Sequence, residues 1–293
     1  MKARSISHHE NPIWLLKHFS SDCDGMLWMG FKNTRDVKLL NVKAAFKRND
    51  ANTRIDYQRR EDGTFQQVKS DPDEKSLVNF DGQTATAVSD LLASARQWRD
   101  TSMVPRVPAP ETVEMCKRLI VAQARRPRES QDRSGLFGDK HDLYLDVLFK
   151  IAEEDGQQLP SRDVLLEDPR VIAKLDDITQ NRRATFASGD HPILASKEQE
   201  FLAPLGLNIA VLDSTTAEFV IGSHGITITQ GQNSWLPLAP DVAISFSNKP
   251  GGIGIGMCVN EFVEEHNRAA LSASERIAGR SKEAIEKLLA TLD

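Results

Sequence analysis

The sequence predicts an α+β fold, a mixed or antiparallel sheet built from N-terminal and C-terminal strands and covered by a central helical region. Three observations predict it: extended, turn-bounded segments occupy both ends of the chain, segments of helical periodicity fill the middle, and strands are segregated from helices rather than alternating with them. The last point argues against a doubly wound parallel sheet. One domain spanning residues 1–293 is expected, with N-terminal strands in 1–70, a helical region in 74–200, C-terminal strands in 205–260 and C-terminal helices in 260–293.

Taken in order, "SISHHENPIWLLKHF" places His8 and His9 ahead of Pro12 and an apolar run that ends at Phe19 and docks on the fold. Asp24-Gly25 is a turn before a strand, "MLWMGF", with large residues on both faces. "VKLLNV" and "GTFQQV" are two more extended pieces, and the polar "KRNDANTRIDYQRREDG" between them reads as an exposed loop. From Ser76, Leu77, Phe80, Thr84, Val88, Leu91, Leu92 and Ala95 recur at helical spacing to a helix end near Trp98. "VPRVPAP" is a proline-stiffened connector. Glu111 and Glu114 open a second helix that carries Val113, Leu119, Ile120 and Ala124 and stops by Pro127.

"RRPRESQDRSGLFGDK" reads as a charged loop. "HDLYLDVLFKIAEEDG" is a third helix, its apolar stripe Leu143, Val147, Leu148 and Ile151, with Gly156 as its stop. A fourth, broken helix runs through "SRDVLLEDPRVIAKLDDITQNRRATF", Pro169 beginning its second half. Extended periodicity then holds from "GLNIAVLDS" through "EFVIGS", "GITITQG", "SWLPLAP", "DVAISFSN" and "GGIGIGMCV". "NEFVEEHNRAALSASERIAG" and "SKEAIEKLLATL" finish the chain as two helices. The N-terminal strands are expected to join the edge of the C-terminal sheet, bringing the opening segment near residues after Leu207.

A formal net charge of -5 and a pI of 5.9 argue against a surface that attracts nucleic acid as a whole, leaving room for a local basic patch. Cys23, Cys116 and Cys258 lie far apart, so neither a disulfide framework nor a zinc knuckle is implied and a cytoplasmic location is expected. No apolar segment is long enough for a signal core or a membrane span, so no membrane partner is expected. G-x-S-x-G, H-E-x-x-H, Walker and kinase patterns are absent, and Gly251, Gly252, Gly254 and Gly256 read as a glycine-rich strand or bulge, not a nucleotide loop.

Adjacent side chains diverge, so at most one of His8 and His9 faces any site, while His8 and Glu10 share a face if the segment is extended. Gln123 and Arg126 share a helix face, where Arg126 is placed to clamp a phosphate or carboxylate and Gln123 to read a neighbouring polar group. The competing structural reading is an arginine meeting a helix C-terminus. Arg118, Arg125, Arg126, Arg128 and Arg133 form a basic stretch, either a polyanion contact or a solvated loop.

His8, His9, Pro12, Leu16, Lys17 and Phe19, then Leu27-Trp28, then Gln123, Arg126 and Pro127, then Pro237, Leu238, Pro240 and Asp241 follow one another in the order of a bacterial family's motifs. On these residues the chain resembles domain-of-unknown-function family 4238. It departs at Ser223, His224 and Gly225, where the family has Asp, Asn and Pro, and "GDHP" at Gly189 to Pro192 only mimics that motif. Serine cannot act as a base in place of a carboxylate, so the resemblance implies either altered chemistry using His224 or its loss.

The functional expectation is a phosphodiester hydrolase, nuclease-like, acting on nucleic acid or nucleotides as a bacterial defence or toxin-like effector. His8, His9, Gln123, Arg126 and His224 are its candidate catalytic residues and a divalent metal its candidate cofactor. The alternative is a non-catalytic ligand- or partner-binding sensor domain with a degenerate site. In a third reading these positions only hold the chain closed.

Overall fold

A computed structural model describes residues 7–22, 24–49, 51, 53–71, 74–101, 108–133, 141–189, 192–213, 217–229 and 234–292. The chain opens with a short strand, β1 (Ser7–His9), and a one-turn helix, α1 (Ile13–Lys17), which Pro12 introduces. Strands β2 (Met26–Phe31) and β3 (Val37–Asn41) form a hairpin, and β4 (Lys47–Asn49) returns to pair with β1, His8 opposite Arg48 and His9 opposite Lys47. A second hairpin, β5 (Arg54–Arg59) and β6 (Phe65–Ser70), follows. Part of the segment read as an exposed loop is therefore strand: polar residues suit β4 and β5 because each pairs in a two-stranded ladder rather than inside a large sheet.

The helical region consists of α2 (Glu74–Thr101), α3 (Pro110–Arg125), α4 (Arg128–Arg133), α5 (His141–Glu154), α6 (Arg162–Glu167), α7 (Pro169–Ser188) and α8 (Pro192–Leu202). The break before Pro169 falls where the sequence predicts it, and Asp168 caps α7 by accepting the Arg170 N–H at 2.8 Å. Helix α4 falls within the segment expected as a loop, whose residues 134–140 lie outside the described residues, and α8 has no counterpart among the predicted elements.

Strands β7 (Gly206–Leu212), β8 (Ile221–Gly222), β9 (Thr227–Ile228), β10 (Ser234–Ala239), β11 (Val242–Ser247) and β12 (Ile253–Cys258) come next, then α9 (Asn260–Ala273), β13 (Arg276–Gly279) and α10 (Lys282–Leu289). A five-stranded sheet in the order β12-β7-β11-β10-β9 is antiparallel except for the parallel β12–β7 pair. The glycine-rich segment is thus an edge strand. Helices α2 and α3 cover this sheet: Val88, Leu91, Leu92, Leu119 and Ile120 share one core with Leu207, Ile209, Val211, Leu236 and Ile244. Leu15, Leu16 and Phe19 of the opening segment are fully buried in the same core.

The expected route of closure is corrected. The N-terminal strands do not extend the five-stranded sheet; β2 and β3 enter a separate antiparallel sheet in the order β3-β2-β13-β8, while β1–β4 and β5–β6 remain two-stranded ladders. Its central strand, β13, comes from "RIAG", which the sequence analysis assigns to a helix. Four residues are too few for a decisive period, and here pairing with β2 and β8 on both sides sets the conformation. The opening segment does reach residues beyond Leu207, since the Asn11 side-chain amide donates to the Gly222 carbonyl at 3.2 Å.

Candidate functional site

Helix α3 ends at a point where three parts of the chain meet. Pro127 lacks a donor and stops the helix, and Arg126 caps it with its N–H on the Ala122 carbonyl at 3.0 Å. The Ser223–Gly225 turn lies directly on this end: Gly225 has φ +88°, and a Cβ there would stand 2.4 Å from the Gln123 carbonyl oxygen. Both the conformation and the approach require glycine.

On one side of the junction lies a cleft of about 590 Å³ between α2, α3, the end of α7 and α8. Phe80, Arg118, Arg125, Arg126 and Glu198 supply its chemistry. Arg118 and Arg126 carry their guanidinium carbons 5.7 and 5.4 Å from the Phe80 ring centre. Arg125 pairs with Glu198, whose carboxylate also lies 3.6 Å from Arg118. Arg126 is only 4% exposed and meets Asp81 through Nη1 at 2.7 Å, while its Nε and Nη2 are buried without a partner. An unmatched guanidinium edge beside two further arginines has the donor geometry and charge to take a phosphate or carboxylate.

On the other side is a buried network that closes the chain. Glu10 accepts from Arg48 Nε at 2.9 Å, Arg276 Nη2 at 3.0 Å and the Arg128 backbone N–H at 3.0 Å. Burial pushes its carboxyl above the ordinary range and neighbouring Glu129 adds to this, while Arg48, the Arg128 N–H and Arg276 oppose it. Glu129, in the first turn of α4, accepts from the Ser223 hydroxyl at 2.8 Å and the Glu275 N–H at 3.0 Å. Ser223 in turn accepts the Arg276 N–H at 3.1 Å. Opening segment, α4, the altered turn and β13 are locked together by side chains of which the sequence reading singled out Glu10, as a partner for His8, and Ser223, as a departure from the family motif.

The candidate residues separate into different environments. His8 is buried with Nε2 3.0 Å from Thr53 Oγ1 and 3.5 Å from Asp71 Oδ1, so Thr53 and Asp71 take the place expected for Glu10. His9 is half-buried on β1, opposite Lys47. His224 holds the Ile226 carbonyl 3.0 Å from Nδ1 and lines a shallow depression with Ser130, Ile228 and Ala273. Gln123 is fully buried, its amide oxygen and nitrogen both unpartnered, and lies outside the lining of the cleft. Arg126 alone of the five lines the arginine cleft. Among the described contacts Arg126 lines the cleft, His224 lines the depression and His8 meets Thr53 and Asp71, while β1, the end of α3 and the 223–225 turn meet through Glu10, Asn11 and backbone.

Other motif residues have structural partners. Asp241 of the PLAPD turn accepts Arg96 bidentately at 2.9 and 2.7 Å and Arg99 at 3.0 Å, fastening the end of α2 to the β10–β11 turn. Burial alone would raise its carboxyl; Arg96, then Arg99, more than offset this and leave it below the ordinary range. Burial pushes the Cys116 thiol up to about 12 and the Cys258 thiol up to about 11, so neither is a ready thiolate nucleophile. Cys23, and Asp190 and His191 of the mimic motif, lie outside the described residues. Among the described residues no group of three or more His, Cys, Asp or Glu side chains is placed to hold a metal, and no helix is long and apolar enough to cross a membrane.

Phe80 and Glu198 are the cleft residues that sequence reading missed. Arg118, Arg125 and Arg126, spaced by seven and one along α3, carry the readable signal; Phe80 reads as core, and Glu198 belongs to an unforeseen helix. Comparison with models of protein families, with curated proteins and with solved structures finds no match for this chain.

Proposed function

We propose that the chain is a ligand-binding protein that takes a small phosphate-bearing molecule, of nucleotide size, in the cleft between α2, α3, α7 and α8. The buried Arg126, a residue of the cleft lining whose Nε and Nη2 have no hydrogen-bond partner, carries this reading. Leaving such donors unsatisfied costs about 1–3 kcal/mol each, a cost that an anionic ligand removes. Arg118 and Arg125 add charge, the Phe80 ring adds a flat apolar wall, and the volume suits a small ligand.

Binding without hydrolysis is the form of the proposal that the lining supports. A hydrolase needs a base beside the bound phosphate, and the carboxylates there are committed: Glu114 lies 2.8 Å from Lys117, and Glu198 is held by Arg125. Of the positions that carry the resemblance to family 4238, Leu16, Phe19 and Asp241 fit architecture: Leu16 and Phe19 fill the core, and Asp241 clamps α2.

Thermal melting in the presence of ADP or pyrophosphate tests the reading. At about 100 times the dissociation constant a ligand stabilises by about 2.7 kcal/mol, a readily measured rise in Tm. The rise is expected for the wild type and not for Arg126→Lys, which keeps the charge facing Asp81 but lacks the planar fork. ADP recovered intact supports binding alone; metal-dependent cleavage that Arg126→Lys abolishes would restore the hydrolase reading.

A further inference from the structure

We propose that Glu198 is a resident carboxylate occupying part of the arginine cradle, which a phosphate must displace, and that the exchange releases α8 from α3. This rests on the reading of the cleft as a phosphate site. Helix α8 directs its other charges away from the cleft, Lys197 and Glu200 pairing with each other at 2.8 Å on an exposed face. Glu198 instead turns inward and is only 10% exposed, held by Arg125 and 3.6 Å from Arg118. A carboxylate and a phosphate oxygen use the same guanidinium donors, so the two compete for one place.

Charge favours the exchange for a phosphate and not for a simple monoanion. Three arginines face three carboxylates, Glu198, the Asp81 partner of Arg126, and Glu114, and Lys117 balances Glu114, leaving one net positive charge. A monoanion only replaces Glu198 like for like. A ligand with two or more charges gains more, reaching the unmatched edge of Arg126 as well as the donors that Glu198 vacates.

The rest of α8 has its own anchor, which confines the release to one end. Lys117 donates through Nζ to the Leu202 and Leu205 carbonyls at 2.9 and 3.1 Å, and Leu202 is buried. Glu198 lies one turn before that anchor. Losing its ion pair therefore loosens the helix ahead of Leu202 while its end stays fixed, turning occupancy of the cleft into a change on the protein surface.

Calorimetric titration of the full chain with pyrophosphate, with amide exchange followed over residues 194–202, tests this. Glu198→Gln is expected to bind pyrophosphate about tenfold more tightly than the wild type. In the wild type, pyrophosphate should speed exchange in 194–202 toward the rate Glu198→Gln shows without ligand. Wild-type binding that depends on Arg126 but leaves exchange in α8 unchanged would overturn the displacement and leave the phosphate cleft standing. Equal or weaker binding by a folded Glu198→Gln would do the same. Absence of pyrophosphate binding in both proteins would overturn the cleft reading and this inference together.

Discussion

Ser223 shows at the scale of one residue how a departure from a motif is explained by what it touches. Its buried hydroxyl donates to Glu129 and accepts from Arg276, so an aspartate there would set a second carboxylate against Glu129. Ser223→Ala is expected to cost about 1–3 kcal/mol in urea unfolding and Ser223→Asp more, as an unpaired buried charge does. Adding Glu129→Gln should recover part of the Ser223→Asp loss. Additive losses in that double-mutant cycle would remove the contact from the account. His266 on α9 gives a pH-dependent counterpart. It is fully buried, 5.3 Å from the Phe219 ring, and burial pushes its imidazole down from 6.5 to about 4. Between those values the unfolded chain takes up a proton that the folded chain refuses. The contribution is therefore whole above pH 6.5 and lost as pH falls toward 4, by about 1.4 kcal/mol per unit and about 3 kcal/mol in all. His266→Gln should unfold with a correspondingly flatter pH profile between 7 and 4.5; profiles of equal slope would refute it. Residue roles were the least legible layer of the sequence. Arg126 was readable as an anion clamp because the chemistry is local, whereas Glu129 and Arg276 become partners only through contacts that span the chain.

Among the elements, long amphipathic helices were legible and short strands were not. The buried face of α2 is the one its spacing predicts, from Leu77 through Ala95. Helix α5 was legible as a helix and misread as a face: Leu143, Val147, Leu148 and Ile151 are 40–53% exposed, and Leu145 and Ala152 point inward instead. Periodicity gives the angular spread of apolar residues but not which side the neighbours cover, and in α5 the covering element is α7. Chemical denaturation of two variants checks this: Leu145→Ala is expected to cost about 2–5 kcal/mol, and Leu143→Ala below about 1 kcal/mol. Equal costs would return Leu143 to the core. β13 was lost for the opposite reason, since a four-residue strand between two partners takes its conformation from pairing rather than from propensity.

For the whole molecule, the α+β class was legible because it depends on the order of periodicities, and the closure was not because it depends on strand partners. β13 pairs Arg276 with Phe31 and Ile277 with Gly222, tying both ends of the chain into one sheet across about 245 residues of sequence. The network of Glu10, Arg48, Glu129, Ser223 and Arg276 stands beside that joint, on the opposite side of the α3 end from the arginine cleft. Truncation after Ser274 should therefore abolish cooperative unfolding, as read by circular dichroism; a cooperative transition in the truncated chain would contradict the closure. The central claim is that phosphate binds through the unmatched edge of Arg126. A crystal structure of the protein with ADP tests it most directly: a phosphate oxygen is expected within about 3 Å of Arg126 Nε or Nη2. A cleft without ADP, in crystals where ADP is bound elsewhere, would contradict it.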